Sequence, residues 1–148
     1  MSRFWASTMN ESFAVPAVYE DPEVVGRHCI FELQNGNPNL LDNEEFIKDA
    51  LIKAADAAGA TLIGMVSHKF QPQGVTAIAL LSESHISIHT YPEHEYAAID
   101  AFTCGEHTNP ESACRSLKDA FEAKSGSIQI LSRRNAAINR DRLPGGIR

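Results

Sequence analysis

Cysteine is scarce in this sequence of 148 residues. There are only three cysteines, Cys29, Cys104 and Cys114, and no two of them form a Cys-x-x-Cys pair. An odd and sparse set provides no disulfide framework, which predicts a reduced, cytoplasmic protein. Aromatic residues make up only 7% of the chain, so the core must consist mainly of Ala, Ile, Leu and Val. No apolar run approaches the roughly 20 residues of a membrane helix, and we expect neither a membrane span nor a secretory signal.

Basic residues are outnumbered by acidic ones, which gives a formal net charge of −6. Phosphate binding needs a basic face, so nucleic acid is not expected as the main partner. Prolines and polar residues in segment 1–24 predict a flexible N-terminal extension. Residues 25–133 are predicted to form one domain, and residues 134–148 a basic C-terminal tail.

Hydrophobic periodicity predicts one order of elements, in which a strand and a helix are followed by several strands, a second helix and a last strand. We expect Asp42 to cap the first helix, with Glu45 completing a capping box. This order predicts an α+β fold, a two-layer sandwich in which an antiparallel sheet carries two helices on one face. The predicted strands are residues 24–33, 61–70, 75–81, 85–90, 96–103 and 127–132, and the helices are residues 43–58 and a second beginning at Pro110.

The stretch ESHISIHTYPE, residues 83–93, combines a bend with strictly alternating side chains. His85 and His89 lie on one face of the predicted strand, and a polar step at Ser84 separates it from the apolar strand before it. A serine hydroxyl can attack the carbonyl that precedes it when a base takes its proton. An imidazole can be that base near neutral pH.

This stretch, followed by DAFTCG at residues 100–105, closely resembles the bacterial type of S-adenosylmethionine decarboxylase proenzyme. The resemblance extends from about Gly26 to about Arg133. It implies the same α+β architecture and a homodimer of processed protomers. It also implies self-cleavage between Glu83 and Ser84, which gives a β chain of residues 1–83 and an α chain of residues 84–148.

The resemblance further implies a role for each reactive residue. Ser84 would become a pyruvoyl group, the cofactor, which forms a Schiff base with the amine of S-adenosylmethionine. His89 would be the base in processing, and Thr76 would support it where the family usually has serine. Cys104 would donate the proton that replaces carbon dioxide, since a cysteine thiol is acidic enough to act near neutrality.

Substrate-binding roles are implied for three more residues. Phe70 would stack on adenine or lie against the sulfonium, an attraction worth about 0.5–2 kcal/mol. Glu93 would accept hydrogen bonds from the ribose hydroxyls. Glu32 is a candidate only through the matching sequence Gly-Arg-His at residues 26–28.

The sequence leaves three alternatives open. Metal binding is disfavoured because His85 and His89, four apart on a strand, are roughly 13 Å apart and cannot share one ion. The same scaffold could decarboxylate a free amino acid such as ornithine or arginine, although Phe70 and Glu93 favour a nucleoside. The chain could also be an unprocessed homologue that only binds its ligand.

Overall fold

The sheet is the main element of this computed structural model, which describes residues 24–135. Six strands pair antiparallel in the order β2-β3-β4-β5-β1-β6. The predicted extension 1–24 lies outside the described residues except for residue 24. The predicted tail 134–148 lies outside them except for residues 134 and 135. The strands are β1 (Val24–Gln34), β2 (Leu62–Lys69), β3 (Val75–Leu81), β4 (Ser84–Tyr91), β5 (Tyr96–Thr103) and β6 (Ser125–Arg134).

Two long helices cover one face of this sheet, which confirms the predicted α+β sandwich. Helix α2 (Glu44–Ala57) and helix α3 (Pro110–Ala120) pack against each other and against the strands. A short helix that the sequence pattern did not predict, α1 (Pro38–Leu41), precedes them. It begins with proline directly after the cap Asn37, whose side chain accepts a hydrogen bond from the amide of Asn39.

The predicted cap of α2 is wrong by one residue. Asn43, not Asp42, accepts the hydrogen bond from the amide of Phe46, at 3.0 Å. Asp42 instead ends α1, and its carboxylate bonds to the loop after β2. Both residue types cap helices well, so the presence of α1 decides which of the two takes the role.

The two faces of the sheet differ because the strands alternate. On β3 the side chains of Val75, Ala77 and Ala79 are buried under the helices, whereas Leu80 is 53% exposed on the other side. We call this other side the open face, because among the described residues no helix packs on it. It carries the alternate residues of each strand, including Thr76, Ile78 and Leu80 of β3 and His85, Ser87 and His89 of β4.

The strands also have two ends that matter for the site. The serine end holds the turn from β3 to β4 and the last residue of β5, since Ser84 pairs with Thr103. The loop end holds the connection from Phe70 to Gly74 and the 3₁₀ turn Pro92–His94 that joins β4 to β5. Strand β3 separates these ends, and its seven residues span about 20 Å.

Candidate active site

Ser84 begins β4 at the serine end, immediately after a two-residue turn. Its backbone φ is 156°, a positive value that residues with a Cβ seldom adopt. Its Oγ lies 3.1 Å from Nδ1 of His85, which faces the ring of Phe102 on β5. The hydroxyl of Ser84 therefore has an imidazole nitrogen within hydrogen-bond distance.

Glu83, the residue before it, is held by both its carbonyl and its carboxylate. The backbone carbonyl accepts a hydrogen bond from the amide of Cys104 at 3.1 Å. The carboxylate accepts one from the amide of Thr61 at 2.9 Å and lies 3.2 Å from Nε2 of His107. The Thr61 amide and then His107 hold the pKa of the Glu83 carboxyl below its usual value, so it stays ionised. The carbonyl next to Ser84 is thus fixed in place and polarised.

Cys104 follows β5 directly and carries a free, partly exposed thiol. The thiol lies close to Gly26 of β1, where an added Cβ would come within 3.0 Å of Sγ and 2.7 Å of the Phe102 ring. A residue larger than glycine at position 26 would crowd the Phe102 ring, the Thr103 carbonyl and the thiol together. The other two cysteines, Cys29 and Cys114, are fully buried. Contact with Cys29 and burial raise the pKa of the Cys114 thiol, which keeps it protonated.

Thr76 and His89 form a hydrogen-bonded pair at the loop end of the open face. They are cross-strand partners on β3 and β4, and Oγ1 of Thr76 lies 2.9 Å from Nδ1 of His89. His89 is five residues along β4 from Ser84, a distance of about 16 Å. Within one chain the structure therefore joins Thr76 with His89 but does not bring either to Ser84.

Phe70 and Glu93 also lie at the loop end. Phe70 is 46% exposed, and the ring of His68 meets it edge-on with centroids 4.7 Å apart. Glu93, in the 3₁₀ turn, accepts a hydrogen bond from the side chain of Gln73 at 3.2 Å. Both side chains are accessible for binding, and a loop contact links them.

Glu32 lies on β1 at the same end of the open face. Its carboxylate accepts a hydrogen bond from the hydroxyl of Tyr96, which raises the pKa of Tyr96 to about 12. The cross-strand neighbour of Glu32 is Ala98, which in turn pairs with His89. The carboxylate of Glu32 is therefore already engaged, and it adds negative charge to this end of the open face.

Sequence reasoning assigned no role to His85, Thr61 or His107. The alternation of residues 85–89 placed His85 beside Ser84 but gave no reason to prefer it over His89. Thr61 and His107 are far from Glu83 in sequence, and only the folded chain brings them together. Among residues 24–135, no group of three or more His, Cys, Asp or Glu side chains is arranged to hold a metal ion. No described helix is long and apolar enough to cross a membrane.

Known proteins resemble this chain over nearly all of its described part. It is 50% identical over 118 residues to the S-adenosylmethionine decarboxylase proenzyme of Parasynechococcus marenigrum (strain WH8102), covering 80% of this chain and 92% of that protein. It is 53% identical over 107 residues to the proenzyme of the same name from Methanococcus aeolicus, covering 72% and 92%.

The fold agrees with these sequence similarities. The crystal structure of the adenosylmethionine decarboxylase from Aquifex aeolicus VF5 superposes with a TM-score of 0.71 and 33% identity, covering 76% of this chain and 93% of that one. Residues 27–134 match the family described as S-adenosylmethionine decarboxylase. The chain, with its Glu-Ser turn and the cysteine beside it, belongs to the S-adenosylmethionine decarboxylase family.

Proposed function

We propose that this chain cuts itself between Glu83 and Ser84 and then decarboxylates S-adenosylmethionine. It is a carboxy-lyase, and its product is the aminopropyl donor for spermidine biosynthesis. The geometry of the turn at the serine end is the main support for this proposal. There a carbonyl that accepts an amide hydrogen bond precedes a serine hydroxyl in contact with an imidazole.

Cleavage starts when Oγ of Ser84 attacks the carbonyl carbon of Glu83. The amide of Cys104 donates to the oxygen on which negative charge develops, so it acts as an oxyanion donor. The C–N bond breaks, an ester to Oγ replaces it, and the amine of Ser84 takes up a proton. Removal of the Ser84 Cα proton then breaks the bond from Cβ to Oγ and expels the main-chain α-carboxylate of Glu83, the new C-terminus of the β chain. Hydrolysis of the dehydroalanine releases ammonia and leaves the pyruvoyl group.

The residues around Ser84 fit a pyruvoyl group at this position. The group would supply a ketone that bonds to the substrate amine, so that the electron pair left on the α-carbon by the loss of carbon dioxide is delocalised. Cys104 lies at the same end of the sheet, and its thiol holds the proton that the substrate α-carbon then receives. Gly26 leaves room beside that thiol. The side-chain carboxylate of Glu83 stays bonded to the amide of Thr61, which keeps the new end of the β chain in place.

We further propose that each site is completed by a second copy of the chain. Phe70, His89 and Thr76 lie at the loop end, about 20 Å along β3 from the serine end. One small substrate cannot contact both ends of one protomer, and His89 cannot reach its own Ser84. A two-fold dimer that joins the open faces would place the loop end of one protomer against the serine end of the other.

Apolar side chains on the open face support this arrangement. Val66 is 66% exposed, and Leu80 and Ile78 on the neighbouring strand are also exposed. Together they form an apolar area on a sheet face that no described helix covers, and exposed apolar area of this kind is typical of a protein interface. A homodimer buries it and creates two identical sites at once.

Substrate binding is assigned to the loop end. The ring of Phe70 stacks on adenine or lies against the sulfonium, and Glu93 accepts hydrogen bonds from the ribose. Glu32 contributes negative charge near a cationic substrate. The three cysteines are free thiols, which supports a location in the reducing cytoplasm.

Release of labelled carbon dioxide from carboxyl-labelled substrates tests this function. The purified protein should release it from S-adenosylmethionine and not from ornithine or arginine, while Ser84→Ala should be uncut and inactive. Release from a free amino acid alone would overturn the substrate assignment. Two chains in preparations of Ser84→Ala would overturn the cleavage site.

A further inference from the structure

Asp42 links the two residues that flank the loop at residues 70–73. Its carboxylate accepts hydrogen bonds from Nζ of Lys69, the last residue of β2, and from the amide of Gly74 at 2.8 Å. Its backbone carbonyl accepts a second bond from the same Nζ, at 2.6 Å. Lys69 and then the Gly74 amide hold the pKa of the Asp42 carboxyl below its usual value, so it is ionised at neutral pH.

The loop that Asp42 closes carries Phe70 and contacts Glu93, the two residues proposed to bind the nucleoside. The amide of Phe70 donates to the carbonyl of Gly74 at 2.8 Å, so the loop is also closed from within. Gly74 has φ of 96°, a conformation that favours glycine. Further along the loop, Gln73 bonds to Glu93. A displacement of either flank therefore moves Phe70 and releases the contact to Glu93.

We propose that Asp42 is a positioning residue for substrate binding, which holds the loop so that Phe70 and Glu93 face the nucleoside. This proposal rests on the proposed function, because it assumes that Phe70 and Glu93 bind the substrate. Asp42 itself touches neither the reacting bond nor Ser84. It acts through the loop alone.

Self-cleavage should not depend on Asp42. The first residue of β3, Val75, is held separately, since Oγ1 of Thr90 accepts from its amide at 2.8 Å and donates to its carbonyl at 3.2 Å. Thr76 and His89 are cross-strand partners just beyond it. This pair therefore stays in register when the loop loosens.

Steady-state kinetics of the full chain with S-adenosylmethionine test the proposal. Asp42→Ala should raise KM about tenfold, as expected when a charge-assisted contact is lost, and leave kcat within about twofold. Its self-cleavage should proceed at the wild-type rate. Asp42→Asn keeps the shape and one acceptor, so it should give a smaller rise in KM and serves if Asp42→Ala does not fold. Asp56→Ala, an exposed carboxylate of α2, is the matched control and should change neither constant.

A double-mutant cycle separates positioning from a merely structural role. Phe70→Ala should raise KM by itself, and adding Asp42→Ala to it should raise KM by a smaller factor than Asp42→Ala does in the wild-type chain, because one of the two residues that Asp42 positions is gone. Fully additive effects, or an unchanged KM in both Asp42 variants, would overturn the proposal. A wild-type protein that releases no carbon dioxide from S-adenosylmethionine would instead overturn the proposed function. The result for the wild type therefore tests the proposed function, and the results for the variants test the role of Asp42.

Discussion

Cys104 brings two different groups to the turn that holds Ser84. Its amide donates to the carbonyl of Glu83, and its thiol is free and partly exposed. Only the thiol depends on the side chain. The two proposed roles of this residue, in cleavage and in proton donation, can therefore be separated by substitution.

Cys104→Ala should still cut itself but should decarboxylate poorly. The alanine amide preserves the oxyanion donor, while loss of the proton donor should lower kcat by about 100-fold or more. Mass spectrometry of the chains and carbon dioxide release measure the two effects. Cys104→Ser, which keeps a weaker proton donor, is the matched control. Full turnover by Cys104→Ala would remove the thiol from the mechanism.

At Thr76, the role of the hydroxyl group can be tested separately from the role of the branched side-chain shape. Its Oγ1 bonds to Nδ1 of His89, and Thr76→Val removes that hydroxyl while keeping the branched shape. We expect Thr76→Val to slow self-cleavage at least about tenfold, since His89 loses the partner that orients it. Thr76→Ser should cut at least as fast as the wild type, because it lacks the methyl group that restricts the rotamer. Gel electrophoresis measures the cleavage rates of the wild type and both variants. Equal rates in all three proteins would contradict this role.

At the scale of elements, strict alternation made β4 predictable, and the apolar stripe at helical spacing did the same for α2. The cap of α2 was misplaced because Asp42 and Asn43 are equally good acceptors and the four residues of α1 leave no periodic signal. The loop contact that Asp42 makes instead depends on Gly74, 32 residues away. No local pattern indicates a contact at that separation.

A buried ion pair connects β1 to the start of α3. Arg27 and Glu111 are each less than 10% exposed, and Arg27 pairs across the sheet with Thr103, next to Cys104. Removal of one member leaves a buried charge without its partner. The pair therefore ties the helix layer to the strand end that carries the site.

Glu111→Ala should lower the free energy of unfolding by about 3–5 kcal/mol, since Arg27 remains charged and buried. Replacement of both residues, as Arg27→Met with Glu111→Leu, should cost clearly less than the single change. Urea denaturation of the Ser84→Ala background, in which the chain stays uncut, measures both. An equal or larger loss in the double variant would show that the pair itself is strongly stabilising.

For the molecule as a whole, the extended strand predicted at residues 85–90 already separates Ser84 from His89, but a site shared between two chains was not predicted because the roles were assigned from the motif. Both residues lie within one short stretch, yet β4 is extended and sets them about 16 Å apart. The strand order β2-β3-β4-β5-β1-β6 was not predicted either, because the pairing of β1 with β5 and β6 involves residues distant in sequence. The fold class followed from element order, whereas the proposed division of the site depends on distances along the strands of the folded chain.

Complementation between two inactive variants tests that division. Ser84→Ala and His89→Ala should each remain uncut alone. When they are co-expressed, the His89→Ala chain should be cut, because its Ser84 meets the His89 of a Ser84→Ala partner, and part of the decarboxylase activity should return. Self-cleavage of His89→Ala expressed alone would contradict the shared site. It would favour His85 as the base in processing, since its Nδ1 lies 3.1 Å from Oγ of Ser84.

Measuring the masses of the chains in the purified protein shows directly whether the chain cuts itself and forms a pyruvoyl group. We expect two polypeptides, residues 1–83 and residues 84–148, the second beginning with a pyruvoyl group in place of the serine. A single polypeptide of full length, or a second chain that begins with an unmodified Ser84, would contradict it.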